Sequence, residues 1–555
     1  MEATGRVSAL LSQAMRKTQK SSLHTGAWRG GRVYNLGYPR VGLASRLTDM
    51  GSVGMIDSHS RTLVRTRPLL LLLGLLYLIP APCLAADAAR PPNVVFILAD
   101  DLGYGDLGCY GSTKIRTTNI DRLAAEGMRL TRHYSGNAVC APSRCVLMTG
   151  LHPGHAFIRN NRTVGEEGQY PIPASTKTLA RRLHDAGYIC GAFGKWGLGG
   201  PTSDGRPLQQ GIDRFFGYNC QGFAHNYYPD ALWDNELRTP LRNPKFQAHQ
   251  PLPDNADPND PASYQSYRGE EYSSDVIHAQ ALAFIRDHHT RPFFLYVPST
   301  IPHMSLQVPD DSLAEYVGKI EDVPYKGQRR YLPHQHPHAC YAAMVSRLDR
   351  YVGEIVAELK KLDLEKNTII VFSSDNGPAA ERVGGSDSDF FNSTGGLTGR
   401  KGSLQEGGIR VPCIVRWPGR IRAATVSERI TGFEDWTPTL FDLADLSVEN
   451  GQELDGISFA DTLSGQRQPE RPFLYREYVR QQAVWSGPWK GIRNNLAKAD
   501  DPQPMQTELY NLVADPFEAR DVSAQHPEIT ARLQRILQEE HQPSKLFPIP
   551  ALDVK

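Results

Sequence analysis

The sequence NVVFILADD, at residues 93–101, is typical of a strand buried inside a parallel sheet. From Asn93 to Leu98 the apolar run is continuous and rich in β-branched residues, which predicts burial on both faces rather than on one. Ala99 ends the run, and two acidic residues, Asp100 and Asp101, follow it directly. Both carboxylates are therefore expected at the carboxyl end of a buried strand.

Similar apolar runs alternate with helix-like segments along the chain that follows. The predicted helices cover residues 119–127, 176–186, 274–288, 339–362 and 435–446. The predicted strands cover residues 188–193, 293–298, 368–373 and 411–417. Gly127 is expected to stop the first helix, and Ser175 could cap the second. Strands separated by helices predict an α/β fold with a large, mostly parallel central sheet that helices flank on both faces.

A second polar pair, Asp375 and Asn376, follows another predicted strand. Ligands of α/β sheets collect beyond the carboxyl ends of the strands, so this pair is expected to converge with Asp100 and Asp101. Oxygen ligands of this kind favour calcium or magnesium over zinc. Either pair alone would more often be a helix cap or a solvated loop segment, so the prediction depends on their shared placement.

The composition is that of an ordinary soluble globular protein. The chain has 555 residues, of which 40% are hydrophobic and 22% are charged. These values exclude disordered, collagen-like and polytopic membrane proteins and fit about two to four domain-sized units. The formal net charge is +1. Without a basic surplus, no nucleic-acid partner is expected.

The N-terminal region departs from this average. Residues 1–67 hold eleven Lys or Arg against three Asp or Glu, and residues 69–79 hold no charge. A positive flank, a short apolar core and small residues beyond it predict a secretory signal peptide at about residues 55–85, cleaved near Ala85. A membrane span would need about 20 apolar residues, so no stable span is expected. We therefore expect a secreted or periplasmic protein.

Three alternatives remain for this region. Translation could start at Met55, close upstream of the basic residues, which would make the first 54 residues an artefact. A lipidated Cys83 is a second alternative, although the preceding Pro82 fits a lipidation site poorly. A single signal anchor is the third.

Two further regions are predicted on the C-terminal side of residue 85. Residues 86–465 form the main domain, and residues 466–555 form a small C-terminal antiparallel subdomain with strands at 473–479 and 483–489 and a helix at 528–539. Residues 199–262 show no helix or strand periodicity and are predicted to form a wall or cover of a site.

Seven cysteines, an odd number, follow the signal peptide. The chain has no CxxC pair, so a zinc ribbon is not expected. An unpaired thiol in an oxidising compartment is expected to be buried or functional.

The segment CAPSRCVLMTG at residues 140–150 is the most specific motif. Pro142 suits the first turn of a helix, so Cys140 is expected just before that helix, where backbone N–H groups favour an anion. Arg144 follows four residues later, about one helical turn away. For Cys140 alone, a buried cysteine ahead of a helix would be the ordinary explanation.

The whole segment matches the pattern C-x-P-S-R-x-x-x-x-T-G, by which the chain resembles the type I sulfatases of the alkaline-phosphatase-like superfamily. In that family the cysteine is converted after translation to formylglycine by a maturation enzyme. The resemblance spans roughly residues 92–542 and includes ELYNL at residues 508–512. It implies an alkaline-phosphatase-like fold, a catalytic sulfatase domain at residues 86–465, and an arylsulfatase-like sulfuric ester hydrolase.

The resemblance also implies a set of site residues. The implied ligands of one calcium ion are Asp100, Asp101, Asp375, Asn376 and the formylglycine derived from Cys140. Arg144 would pair with the formylglycine oxygens. The implied sulfate-binding residues are Lys195, His303 and Lys401. Taken singly, each of the latter would be interpreted as a solvated surface charge or a loop residue.

Formylglycine chemistry explains why these residue types are needed. The aldehyde hydrates to a gem-diol, in which one oxygen attacks sulfur and the second hydroxyl later expels sulfate as the aldehyde re-forms. The metal and Arg144 would lower the pKa of the attacking hydroxyl, and Asp375 would take its proton. Lys195, His303 and Lys401 would neutralise the sulfate oxygens, and His303 or Lys401 would protonate the departing alkoxide.

One residue departs from the family pattern. Many members carry a histidine after the Lys-Trp pair, where it is held to touch the formylglycine and to help regenerate it, and this chain has Gly197. His155, His225 or Lys195 could serve instead, or turnover could be slow.

The expected substrate is a sulfated carbohydrate or a small sulfate ester, with aromatic side chains of residues 219–233 stacking on sugar rings. Two other functions remain open. A phosphate or phosphonate ester hydrolase with the same formylglycine would be distinguished by its activity on paired esters. A catalytically silent module that binds sulfated glycans is favoured by Gly197 alone.

Overall fold

The computed structural model describes residues 90–165, 167–380, 382–447, 454–496 and 505–553. The predicted N-terminal extension and signal peptide, residues 1–85, lie outside the described residues. All of those described belong to one compact unit, and the boundary at residues 465 and 466 stays a prediction. Among the described residues, no helix combines the length and the apolar character that a membrane crossing requires.

A large mixed sheet forms the centre of the molecule. In chain order its strands are β1 (Asn93–Ala99), β2 (Met128–Tyr134), β3 (Ile189–Lys195), β4 (Arg214–Tyr218), β5 (Ala231–Asp234), β6 (Leu237–Pro240), β7 (Phe293–Pro298), β8 (Thr368–Ser374), β9 (Arg410–Arg416), β10 (Thr425–Ser427) and β11 (Thr431–Gly432). The order across the sheet is β10-β2-β9-β8-β1-β7-β3-β4-β5-β6, and β11 also pairs with β2. From β8 to β4 all neighbours are parallel, which confirms the predicted α/β fold with a mostly parallel sheet. Only β9 and β5 run in the opposite direction, so the antiparallel pairings are those of β9 with β8 and β2 and those of β5 with β4 and β6.

Helices cover both faces of this sheet. In chain order they are α1 (Thr118–Ala125), α2 (Cys140–Thr149), α3 (Leu179–Asp185), α4 (Ser273–His288), α5 (Asp310–Leu313), α6 (Pro337–Lys361), α7 (Glu406–Ile409), α8 (Trp436–Leu443), α9 (Ala460–Leu463), α10 (Pro527–Glu539) and α11 (Pro550–Asp553). The predicted cap of α3 was wrong, because the Thr178 side chain, not that of Ser175, accepts from Arg181 N at 3.0 Å. The helix predicted at residues 435–446 is shorter, since Phe433–Asp435 form a 3-10 turn before α8.

Strand β1 shows why a continuous apolar run predicted burial on both faces. Val95 and Ile97 point into a core shared with α1, α4 and α6, and Phe96 and Leu98 point into another core shared with α2, α3 and α8. Every residue of β1 is buried. The strand is therefore fixed from both sides, and the position of the residues that follow it is fixed as well.

A smaller antiparallel sheet lies in the C-terminal part of the chain, as predicted. Its strands, in order, are β12 (Leu474–Tyr478), β13 (Gln481–Ser486), β14 (Trp489–Arg493) and β15 (Glu508–Asn511). One face packs on Leu533 and Leu537 of α10. The other face, through Trp485, packs on Tyr134 and Ile409 of the main domain.

The region predicted as a long site loop, residues 199–262, contains secondary structure instead. It carries β4, β5 and β6, of which β5 and β6 have four residues each. Strands this short show no clear alternation of apolar and polar residues, so the sequence pattern did not predict them. Tyr227 and Tyr228 are buried in the core, so these two aromatic side chains do not present faces for sugar stacking.

Candidate active site

The two polar pairs meet at the carboxyl edge of the central sheet. Strands β1 and β8 are parallel neighbours with Ala99 opposite Ser374, so the residues after them start side by side. The backbone N–H of Asp101 donates to Asp375 Oδ1 at 3.2 Å. Asn376 Nδ2 donates to Asp101 Oδ1 at 2.7 Å. The structure thus brings all four predicted metal ligands together and buries them completely or almost completely.

Helix α2 brings Cys140 and Arg144 to the same point. Cys140 is the first residue of the helix rather than the residue before it, and it is 2% exposed. Reactive atoms of Cys140, Asp100 and Asp375 all lie within 4.8 Å of one another. One turn later, the Arg144 guanidinium donates to Asp375 Oδ2 at 2.7 Å and lies 3.4 Å from Asp100 Oδ2. The predicted spacing therefore places a buried cation between the two carboxylates.

The three predicted sulfate-binding residues come from the end of β3 and from two loops. Lys195, the last residue of β3, lies with Nζ 2.5 Å from Asp100 Oδ2. Lys401 Nζ lies 2.7 Å from Asp101 Oδ1. His303 Nδ1 donates to the Met304 carbonyl at 2.5 Å, which leaves Nε2 facing Asp101 Oδ2 at 3.6 Å. All six residues predicted as catalytic thus lie in one group.

Burial and charge shift the pKa values of the carboxylates in opposite directions. Burial raises the pKa of Asp375 to about 6, and the charge on Asp100 adds to this effect. Burial also opposes ionisation of Asp100, but Lys195 and the other nearby cations outweigh it and hold its pKa below the usual value. One carboxylate of the pair is therefore firmly ionised, and its neighbour holds a proton more readily.

The pKa values of Lys401 and His303 are shifted as well. Burial works against the charged form of Lys401, yet Asp101 and the other anions hold its pKa well above the usual value. Burial, with the charge on Lys401, lowers the pKa of His303 well below the usual value. Lys401 is therefore charged and suited to bind an anion, and the protonated form of His303 is favoured only when an anion lies beside it.

Of the three groups that could replace the missing histidine at Gly197, two lie in the site. Lys195 contacts Asp100, and the His225 ring stacks on His303 with centroids 4.7 Å apart. His155 is directed elsewhere, because Nδ1 bonds Asp455 Oδ1 at 2.9 Å and its ring stacks on His152.

Two residues near Cys140 were not predicted. Asn161 Nδ2 lies 3.5 Å from Cys140 Sγ, and its Oδ1 accepts from the backbone N–H of Ala141 at 3.0 Å. Asn161 also lines a cavity of about 310 Å³ together with Tyr478. Both come from loops or strand ends far away in sequence, so no local pattern could have identified them.

Two buried oxygens test whether a hard cation fits this site. Asp100 Oδ1 and Asn376 Oδ1 have no hydrogen-bond partner among the described residues. Unpartnered buried oxygens are costly unless something else binds them. With Asp101 and Asp375 beside them, the donor set is oxygen only, which suits Ca²⁺ or Mg²⁺. The residues fit a calcium ion.

None of the other cysteines that the structure describes lies in a comparable group of acidic residues. All seven cysteines in the described part of the chain are free thiols, and only Cys109 is partly exposed. Burial raises the pKa of Cys145, Cys190 and Cys413, which makes them unreactive.

Comparisons with known proteins agree with this geometry. The Sulfatase family model matches residues 92–446, and the model of the C-terminal region of N-sulphoglucosamine sulphohydrolase matches residues 400–543. N-acetylgalactosamine-6-sulfatase of Rattus norvegicus is 31% identical over 515 residues, covering 85% of this chain and 89% of that protein. Steryl-sulfatase of Mus musculus is 30% identical over 475 residues, covering 74% and 72%.

A solved structure is similar over the same region. The crystal structure of Ps i-CgsB in complex with k-i-k-neocarrahexaose superimposes with a TM-score of 0.65 at 28% identity, covering 82% of this chain and 94% of that chain. The match of the Sulfatase model extends over more than half of the sequence. The chain therefore belongs to the sulfatase family of the alkaline-phosphatase-like superfamily and is a sulfuric ester hydrolase.

Proposed function

We propose that this sulfatase hydrolyses sulfate esters of carbohydrates, by means of a formylglycine formed from Cys140 and one bound calcium ion. The observation that carries the proposal is the convergence of Arg144, Lys195 and Lys401 on the carboxylates around Cys140. Two buried positive charges and a third that is partly exposed, gathered around one position, suit the oxygens of a sulfate ester.

A carbohydrate substrate is supported by the relatives and by the cavity next to Asn161. The rat relative is named an N-acetylgalactosamine-6-sulfatase, and the crystal structure of Ps i-CgsB contains a neocarrahexaose. Tyr478 and Phe547 line the cavity with aromatic rings, and exposed Arg162 adds a cation at its edge. We infer that a sugar ring enters this cavity while its sulfate lies beside Cys140.

Four side chains would hold the calcium ion: Asp100, Asp101, Asp375 and Asn376. The unpartnered Oδ1 atoms of Asp100 and Asn376 support this assignment. When bound, the ion would polarise the sulfate and lower the pKa of the attacking hydroxyl.

The proposed modification of Cys140 by a maturation enzyme would provide the nucleophile. A hydrated formylglycine has one hydroxyl for attack on sulfur and a second for release of sulfate, which an unmodified thiol lacks. The position of Cys140 at the start of α2 supports this role, since the positive end of the helix dipole favours an anion there. Asn161 would orient the residue at position 140.

The surrounding residues would bind the sulfate and move protons. Arg144 and Lys195 would hold the sulfate oxygens from one side, and His303 and Lys401 from the other. Asp375 would accept the proton of the attacking hydroxyl. His303 or Lys401 would protonate the departing alkoxide, which leaves as the free alcohol.

Paired ester substrates test this function. We expect position-defined sulfated sugars to be hydrolysed with kcat/KM well above that of the matching phosphate and phosphonate esters. The Cys140→Ala variant should be inactive while remaining folded, because no formylglycine can form. A higher kcat/KM on the phosphate or phosphonate esters would favour the alternative hydrolase, and glycan binding without turnover would favour a silent binding module.

A further inference from the structure

The residue that occupies the space next to Gly197 is Gln221. It follows β4, whose end is held against the end of β3 by hydrogen bonds from Trp196 N to Tyr218 O at 2.9 Å and from Gly197 N to Asn219 O at 3.1 Å. Gln221 therefore leaves the sheet at the same carboxyl edge as the carboxylates of the site. Its side chain is enclosed, with 6% of the residue exposed.

The Gln221 amide has no hydrogen-bond partner in the part of the chain that the structure describes. Neither Oε1 nor Nε2 makes a hydrogen bond to the described residues, although both atoms are buried. Leaving a buried amide unpaired costs about 1–3 kcal/mol, so such a group usually has a ligand or a bound water. The two amide hydrogens of Gln221 are thus available to something that enters the site.

The position of Gly197 shows where this amide points. A Cβ atom at residue 197 would lie 2.3 Å from Gln221 Nε2 and 3.6 Å from Arg144 Cδ. The amide and the Arg144 side chain therefore border the same small space. Arg144 in turn contacts Asp375 and Asp100. The φ angle of Gly197 is +80°, so any side chain there would be strained as well as obstructed.

We propose that Gln221 Nε2 donates a hydrogen bond to an oxygen of the sulfate group bound beside Arg144 and Lys195, and that Gly197 is required to leave room for this amide. The inference rests on the proposed sulfate site. An amide donates a hydrogen bond but does not accept a proton at neutral pH, so Gln221 would stabilise charge and would not act as a base.

The test compares Gln221→Ala with Gln210→Ala, a change at a buried glutamine outside the site. Gln210 Nε2 donates to Pro173 O at 3.2 Å and to Asp204 O at 2.8 Å, so its role is structural. We measure the Kd of inorganic sulfate by calorimetry, kcat/KM on a sulfate ester, and Tm for both variants. Gln221→Ala should weaken sulfate binding by on the order of 10- to 100-fold and lower kcat/KM, with Tm unchanged or higher. Gln210→Ala should lower Tm and leave the Kd unchanged.

A Gly197→Ala variant tests whether the space beside Gly197 is needed for the Gln221 amide. Gly197→Ala should weaken sulfate binding in the wild-type background, and it should have a much smaller effect when combined with Gln221→Ala, because the amide is already absent. Equal sulfate affinity in wild type and Gln221→Ala, with a lowered Tm in the variant, would overturn the proposal and assign Gln221 a packing role. If wild type cleaves no sulfate ester, the proposed function fails, while the sulfate titration still decides the role of Gln221.

Discussion

Asp101 connects the metal-binding and cationic halves of the site. Its carboxylate accepts from Asn376 Nδ2 at 2.7 Å and from Lys401 Nζ at 2.9 Å. The Asp101→Asn change keeps the shape of the side chain but removes its charge, so a bound cation loses a carboxylate ligand. We expect the rise in Tm that calcium produces to be lost, with calcium affinity at least about 100-fold weaker and activity reduced with it.

Asp106 provides the matched control for this prediction. It is also a buried acid, but it accepts from Gly103 N and from Tyr341 OH, both at 2.7 Å, rather than from the site. Asp106→Asn should lower Tm in the absence of calcium and keep the calcium response. An unchanged calcium response in Asp101→Asn would contradict the assignment, and so would higher activity with zinc than with calcium.

How well a site residue could be predicted depends on where it lies. Asp100 and Asp375 follow buried strands, so the pattern alone indicated that these two converge. The pattern also placed Arg144 one helical turn after Cys140, but only the family resemblance implied that this helix meets the carboxylates. His303 and Lys401 lie in loops, and only the family resemblance pointed to them. Gln221 was missed because only the folded chain shows that its unpartnered amide lies beside Gly197 and Arg144.

At the scale of elements, β2 carries a buried histidine between β11 and α8. Trp436 Nε1 can only donate, and it donates to His133 Nε2 at 3.3 Å, so the ring proton lies on Nδ1 and is given to Thr431 Oγ1 at 2.7 Å. Burial lowers the pKa of His133 to about 3, although Glu434 opposes the shift. Between that pH and about 6.5, the unfolded chain binds a proton that the folded chain does not. The free energy of unfolding should therefore fall with decreasing pH, by up to about 1.4 kcal/mol per pH unit from this group.

The His133→Gln variant tests this prediction, since glutamine does not titrate. Urea unfolding at about pH 7 and about pH 5 should show a smaller loss of stability for the variant than for wild type. The variant should also be less stable at neutral pH, because the Trp436 and Thr431 hydrogen bonds are disturbed. Equal losses in the two proteins would refute a role for His133 in the acid sensitivity of this element.

The length and apolar pattern of each strand decided whether it could be predicted from the sequence. Strands buried on both faces, such as β1 and β8, are continuous apolar runs and were recognised. Strand β2 (MRLTRHY) is interrupted by arginines, and β10 and β11 have three and two residues, so they carry no clear pattern. The antiparallel direction of β9 is set by its pairing with β8 and β2, which no local sequence encodes.

At the scale of the whole molecule, the C-terminal sheet helps to build the site. Glu406, shortly after Lys401, accepts from Trp485 Nε1 at 2.8 Å and from Lys490 Nζ at 3.1 Å. Tyr478, at the end of β12, lines the cavity beside Asn161. The region predicted as a separate subdomain thus supports the segment that carries Lys401 and contributes to the proposed sugar cavity.

The central claim, that this sulfatase acts through a formylglycine at position 140, is tested most directly by mass spectrometry of the tryptic peptide covering residues 133–144. The peptide is taken from protein that hydrolyses sulfate esters. We predict that it has lost one sulfur and two hydrogens and gained one oxygen relative to the encoded sequence, because the Cys140 side chain has become an aldehyde. A preparation with full turnover that contains only the unmodified Cys140 peptide would contradict the account.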